Sequence, residues 1–149
     1  MKKLIAIALF VGFSALNISC SKQVTAQTQP TIESFVKTYF PDVEILSSIK
    51  DGLDYDVTLS DYTKIEFDGN LLGGKLEWDE IDCKNSTVYK TVPSTLIPSE
   101  ISTHVAKYHS DYTIVKISKD RRGWEIELSN GIEIEFDRKF NVIEIDYKK

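Results

Sequence analysis

The stretch WEIELSNGIEIEFD, residues 124–137, decides the fold of this chain. Glutamates alternate with apolar residues on both sides of the Asn130-Gly131 pair. A period of two is typical of a strand with one buried face, and Asn-Gly favours the tight turn that joins antiparallel strands. The stretch therefore predicts a β-hairpin with one apolar face and one face of glutamates.

The sequence around this hairpin predicts a helix and two further strands. Ile101, Val105 and Tyr108 recur at helical spacing after Pro98, which is typical of a helix start. A β-branched apolar run then precedes the hairpin, and alternating residues follow it. The expected unit is one helix followed by four antiparallel strands, at residues 112–118, 124–128, 132–136 and 143–147.

The first half of the chain repeats this unit. A shift of 69 positions aligns residues 32–78 with residues 101–147 without a gap. The identical pairs include Ile32/Ile101, Val36/Val105, Tyr39/Tyr108, Leu59/Leu128 and the four pairs from Ile65/Ile134 to Asp68/Asp137. We interpret the chain as an α+β protein of two tandem α-β-β-β-β repeats, which share one continuous antiparallel sheet with the helices on one face. The strands of the first repeat are expected at residues 43–49, 55–59, 63–67 and 71–78.

The N-terminus has the layout of an export signal. Two lysines precede an apolar run from Leu4 to Leu16, which is too short to span a bilayer. Two processing routes stay open: lipid modification of Cys20, or cleavage after Ala26. We therefore expect a periplasmic protein or one anchored to the outer membrane. The expected divisions are a signal peptide and export region at residues 1–26, a linker at 27–30, the first repeat at 31–82, a connector at 83–97 and the second repeat at 98–149.

Cysteine and charge content narrow the function classes. After either processing route Cys83 has no cysteine partner that could hold the fold, so the hydrophobic core must do so. Residues 31–82 carry 13 acidic and 4 basic side chains, a net of −9, whereas residues 83–149 carry 10 and 11, a net of +1. A basic nucleic-acid footprint is absent from the sequence, so DNA and RNA are not expected partners.

The whole pattern resembles a known family. Its elements are a Tyr-x-x-Asp stretch after each helix, an Ile-Glu-Phe-Asp strand end in each repeat, and the connector Val-Pro-Ser-Thr-Leu-Ile-Pro at residues 92–98. These resemble the PepSY-like proteins of Bacteroidetes, often described as like β-lactamase-inhibitor proteins. The resemblance implies a periplasmic protein with a curved sheet, and inhibitors of that shape grip an enzyme with the concave sheet face. It carries over no functional residue.

The face opposite the helices is the expected binding surface. On the second sheet, period-two geometry places six acidic residues on that side: Glu125, Glu127, Glu133, Glu135, Glu144 and Asp146. Like charges on adjacent strands destabilise a sheet, so the array either keeps the face soluble or docks a basic protein. The leading hypothesis is a monomeric, non-enzymatic module that binds an unidentified protein partner. It would meet a membrane only through a lipid anchor at Cys20.

Calcium binding is the alternative hypothesis. Carboxylates cluster at Asp51, Asp54 and Asp56, and again at Asp79 and Asp82. Oxygen-rich turns bind calcium loosely in extracellular modules, although the spacing here does not match a twelve-residue calcium loop. No other metal or cofactor is expected. An enzyme is not expected either, because no nucleophile, base and oxyanion donor can be assembled from the sequence.

Overall fold

A computed structural model describes residues 30–69 and 75–147. Its elements are α1 (Pro30–Tyr39), β1 (Ile45–Asp51), β2 (Asp54–Leu59), β3 (Lys64–Gly69), β4 (Leu76–Asp82), a 3-10 turn (Ser94–Leu96), α2 (Ser99–Tyr108), β5 (Ile114–Lys119), β6 (Gly123–Leu128), β7 (Ile132–Asp137) and β8 (Val142–Tyr147). The export region, Cys20 and the linker up to Gln29 lie outside the described residues. Among the described helices, none is long and apolar enough to cross a bilayer.

The eight strands form one antiparallel sheet in the order in which they follow along the chain. This confirms an α+β fold with a single antiparallel sheet. The predicted hairpin is β6 and β7, which meet through Asn130 and Gly131, and Gly131 has the positive φ of 84° that favours glycine in such a turn. Between the halves, β4 and β5 pair at three positions, Glu80 with Ser118, Ile81 with Ile117 and Asp82 with Lys116. We call this β4–β5 pairing the seam.

One line of cross-strand neighbours forms the centre of the hydrophobic core. It runs from β2 to β8 through Val57, Ile65, Ile81, Ile117, Ile126, Ile134 and Ile145. We call it the isoleucine row, and its members up to Ile134 are at most 2% exposed. Ile32 and Val36 of α1 and Ile101 and Val105 of α2 belong to the same buried cluster. The seam therefore joins both halves into one core.

The fourth strand corrects the sequence-based prediction. β4 runs from Leu76 to Asp82, not over residues 71–78, and residues 70–74 lie outside the described chain. Glu66 pairs with Glu80, fourteen positions later, whereas Glu135 pairs with Glu144, nine positions later. The chain between the paired glutamates is thus five residues longer in the β3–β4 hairpin than in the β7–β8 hairpin. The gapless alignment was wrong in this strand, because it ignored that extra length.

The connector contacts both halves through a buried carboxylate and through backbone hydrogen bonds. Asp61 is 2% exposed and accepts hydrogen bonds from the hydroxyls of Ser86 and Thr63 and from the Thr63 amide. Burial acts to raise the pKa of Asp61, but these hydrogen bonds outweigh it and hold the pKa below its ordinary value. The connector contacts the second half through the Val92 amide, which donates a hydrogen bond of 2.9 Å to the carbonyl of Ile114 in β5. Within the connector, Ser94–Leu96 form the 3-10 turn, and Leu96 is buried.

We expect truncation of the isoleucine row at the seam to destabilise the whole sheet. Ile117→Ala should lower the free energy of unfolding by about 2 to 5 kcal/mol, because Ile117 is fully buried. Ile143→Ala is the matched control, since Ile143 is 60% exposed, and should change it by less than about 0.5 kcal/mol. Urea unfolding followed by circular dichroism and tryptophan fluorescence measures both. Two separate transitions would contradict a core shared across the seam.

Candidate functional site

The sheet face opposite the isoleucine row carries a line of carboxylates. It runs through Asp56, Glu66, Glu80, Ser118, Glu125, Glu135 and Glu144, which are cross-strand neighbours from β2 to β8. We call it the carboxylate row and call this side of the sheet the acidic face. Directly opposed residues have Cβ atoms about 4.5 to 5.5 Å apart, so like charges in the row repel one another.

Lysines compensate only part of this negative charge. Lys116 Nζ lies 2.9 Å from Glu80 Oε2, and Lys84 Nζ donates a hydrogen bond of 2.9 Å to Glu127. Glu127 belongs to a second, mixed line of neighbours next to the carboxylate row, together with Thr58, Lys64, Asp82, Lys116, Glu133 and Asp146. Within the described chain, the carboxylates of Glu66, Glu125 and Glu135 accept no hydrogen bond and form no ion pair. The carboxylates without an ion pair therefore lie beside the seam.

The pKa values of Glu66 and Glu125 are both raised, as expected for carboxylates that have no ion pair. Burial, followed by the charges of Glu80, Asp79 and Asp56, raises the pKa of Glu66. Burial and the charge of Glu133 likewise raise the pKa of Glu125, against the opposing effect of Lys116. Both carboxylates are thus harder to ionise in the folded protein than in the unfolded chain. A cation on this face would relieve the repulsion.

A cleft of about 440 Å³ opens on the acidic face at the seam. It is lined by the central part of the carboxylate row, from Glu66 to Glu135. Ser118 occupies the β5 position in that row, and its short side chain leaves space between Glu80 and Glu125. Asp79 also lines the cleft, and its Oδ1 atom is buried without a hydrogen-bond partner among the described residues. The cleft is therefore an acidic depression in the middle of the sheet.

Aromatic and basic side chains stand at one end of the cleft. Lys119 Nζ lies 4.5 Å from the centroid of the Trp78 ring and 6.0 Å from that of Trp124, and the two indoles are 6.1 Å apart. Arg122 Nε donates to Asp120 at 2.9 Å. The cations at this end of the cleft therefore have partners within the chain.

The structure places the six predicted partner-binding residues side by side. Glu125, Glu135 and Glu144 lie in the carboxylate row, while Glu127, Glu133 and Asp146 are neighbours in the mixed line. Sequence reasoning missed Glu80 and Ser118 as members of this face. The stretch Glu80-Ile81-Asp82 contained a signal for Glu80, but its alternation is out of phase with Leu76 and Trp78, and the gapless repeat ended the fourth strand at residue 78.

The predicted calcium ligands do not form one cluster. Asp51 and Asp54 oppose each other in the β1–β2 hairpin, and Asp54 accepts a hydrogen bond from the Gly69 amide. Asp82 lies between Lys64 and Lys116 on its two neighbouring strands. Across residues 30–69 and 75–147, no group of three or more metal-binding side chains could hold an ion.

Cys83 does not offer a nucleophile. The side chain is 1% exposed, and burial, together with the charges of Asp61 and Asp82, raises the pKa of its thiol to about 12. A protonated, buried thiol is unreactive at neutral pH. Cys83 is instead part of the buried core cluster.

Comparisons with known proteins agree with this architecture. Residues 53–144 match the model of a family described as "Putative beta-lactamase-inhibitor-like, PepSY-like". A putative periplasmic protein of the DUF2874 family from Bacteroides vulgatus is 38% identical over 79% of this chain and 89% of its own, with a TM-score of 0.67. A putative calcium-regulated periplasmic protein from Bacteroides thetaiotaomicron is 35% identical over 84% and 94%, with a TM-score of 0.68. Among curated proteins, none matches the sequence significantly.

We expect two substitutions on β6 to change stability in opposite directions. At pH 7, Glu125→Gln should raise the free energy of unfolding by about 0.2 to 1 kcal/mol, because it removes repulsion from neighbouring glutamates. Glu127→Gln should lower it by about 0.2 to 1 kcal/mol, since Glu127 accepts the hydrogen bond of Lys84. Urea unfolding of both variants measures the difference.

The gain from Glu125→Gln should also depend on pH. Because folding raises the pKa of Glu125 above its ordinary value of 4.5, the folded state keeps this proton to a higher pH than the unfolded chain does. Stability from this group is therefore lost as the pH rises from 4.5 through the folded pKa. At pH values below this range, the variant and the parent should have the same free energy of unfolding. Equal effects of the two glutamine substitutions, or a gain that persists in acid, would contradict the assigned repulsion.

Proposed function

The chain belongs to the PepSY-like family, and from this premise we propose that it is an exported, non-enzymatic binding module. Its acidic face binds, or by binding inhibits, another protein that presents a basic surface. The observation that carries the proposal is the carboxylate row, in which Glu66, Glu125 and Glu135 form no ion pair among the described residues. A complementary field favours encounter with a basic partner and excludes acidic ones.

Export to the periplasm is part of this proposal. The relatives from Bacteroides are described as periplasmic, and the first 26 residues have the composition of a signal peptide. Lipid modification of Cys20 would anchor the mature chain to the outer membrane, whereas cleavage after Ala26 would release it. The two routes differ by the mass of the lipid and of residues 20–26, which mass spectrometry of the mature protein resolves.

We also infer that the halves are copies of one unit. The two helices begin and end 69 positions apart, at Pro30 and Ser99 and at Tyr39 and Tyr108. The register shifts between Glu66 and Phe67 in one half and between Glu135 and Phe136 in the other have the same spacing. Bulges bend the strands that contain them, so their recurrence supports one curved surface built from two equivalent parts.

Capture of a partner tests the docking proposal. The wild-type protein should retain a basic protein from a periplasmic extract, and substitution of Glu125, Glu127, Glu133 and Glu135 by Gln should abolish retention. The matched control changes four exposed acidic residues outside the sheet, Glu33, Glu44, Glu100 and Asp111, to their amides. It removes the same charge and should retain the partner. Retention should also weaken in high salt, because salt screens exposed charges. Equal loss in both variants would assign the effect to net charge and contradict docking on the acidic face.

A calcium response is the second candidate function. It is favoured by the description of the relative from Bacteroides thetaiotaomicron and by the carboxylates Asp51, Asp54, Asp56, Asp79 and Asp82. Their dispersal over separate strands argues against a tight site. A ligand that binds only the native state raises its thermal midpoint, so this candidate predicts a higher melting temperature in millimolar calcium than in EDTA. An unchanged midpoint would exclude it.

A further inference from the structure

The aromatic cluster under α1 recurs under α2 with histidines in place of two phenylalanines. Under α1, the ring of Phe35 packs against Phe67 of β3 and against Tyr39 and Phe40. The residues 69 positions later form the corresponding cluster under α2, and they are His104, Phe136, Tyr108 and His109. Both histidines of the chain therefore lie in one cluster, at positions where the first half has rings that cannot titrate.

The two clusters have nearly the same geometry. The centroid of the His104 ring lies 5.4 Å from that of Phe136, at an interplanar angle of 88°. Phe35 lies 5.3 Å from Phe67 at 85°. The ring that follows on each helix lies 4.8 Å from His104 and 4.7 Å from Phe35. An imidazole thus takes the place of a phenyl ring at the contact between α2 and β7.

A proton on His104 is unfavourable in this position. The Nε2 atom is buried and has no hydrogen-bond partner among the described residues, whereas a charged imidazole needs an acceptor at each nitrogen. The charges that act on the ring are those of His109 and Lys107 at the end of α2, and both are positive when protonated. From the sheet, the ring that packs on it is the uncharged Phe136. Burial, followed by these charges, lowers the pKa of His104 below its ordinary value of 6.5.

We propose that His104 makes α2 an acid-sensitive cover of the second half, which its protonation releases from β7 while α1 stays packed on the first half. Because the folded protein resists this proton, the packing of α2 is at full strength above about pH 6.5 and weakens as the pH falls from 6.5 through the folded pKa. The raised pKa values of Glu66 and Glu125 act in the opposite direction, since mild acid stabilises the fold through them. A release of α2 therefore cannot come from these carboxylates.

Hydrogen exchange of the backbone amides in the two helices tests the proposal. The full chain is measured at about pH 7.5 and at about pH 5.5, and each rate is divided by that of an unfolded peptide at the same pH. Relative to α1, the protection of α2 should fall in acid by more than about twofold. The largest possible fall is about tenfold, because the acid sample lies about one pH unit below the ordinary pKa of 6.5.

Matched substitutions identify the group that titrates. His104→Phe copies position 35, and His104→Gln keeps a polar side chain if the phenyl ring does not fit. Neither side chain gains a proton in this pH range, so both variants should lose the acid effect. His109→Gln is the control and should keep most of the effect, since burial is the largest cause of the lowered pKa of His104. Phe35→His should in turn make α1 lose protection in acid. Circular dichroism at about pH 7.5 checks that each variant is folded.

Three outcomes would overturn the proposal. An equal loss of protection in both helices would show that acid acts on the whole fold. A fall that persists in both His104 variants would assign the effect to another group. A rise in the protection of α2 would show that ring contacts with Phe136 and Tyr108 stabilise the charged imidazole more than burial destabilises it. None of these measurements involves a partner protein, so their results are independent of docking on the acidic face.

Discussion

The pairing of β4 with β5 is the constraint on which the rest of the structure depends. Only three residue pairs form it, yet Ile81 and Ile117 at its centre continue the isoleucine row from one half into the other. Without it, each half would be a four-stranded sheet covered by one ten-residue helix, and so small a core stabilises a chain only marginally. The Asp61 contacts and the Val92 hydrogen bond hold the connector against both halves, which fixes where β5 can meet β4.

The strand register that aligns the isoleucine row also creates the acidic face. Side chains alternate between the faces of a strand, so a register that aligns isoleucines on one side must align their neighbours on the other. Those neighbours are glutamates, and their alignment raises the pKa of Glu66 and Glu125 through burial and mutual repulsion. The core thus stabilises an arrangement of charges that would be unfavourable by itself. Lys84 pairs with Glu127 in the mixed line, and Lys116 pairs with Glu80 in the carboxylate row. Within the described residues, Glu66, Glu125 and Glu135 form no ion pair.

Local patterns in the sequence were enough to predict most of the elements but not their meeting at the seam. The β6–β7 hairpin follows from alternation and the Asn130-Gly131 turn, which act between residues close in the chain. Glu80 and Ser118 are cross-strand neighbours although 38 positions separate them, and no local pattern sets that register. The fourth strand was misplaced because internal similarity was extended across a connection of different length. The cleft depends on the register of the seam and on the position of β4. The sequence therefore could not predict it.

The position of the cleft follows from how the sheet is assembled. At the outer strands, a carboxylate has neighbours on one side only and lies next to bulk water, which screens its charge. At the seam, carboxylates from both halves converge around a serine, and burial strengthens their repulsion because less water screens them. An incoming cation therefore gains most at this point, since it relieves repulsion from both halves at once. The seam that completes the core thus also brings the acidic residues of the two halves together.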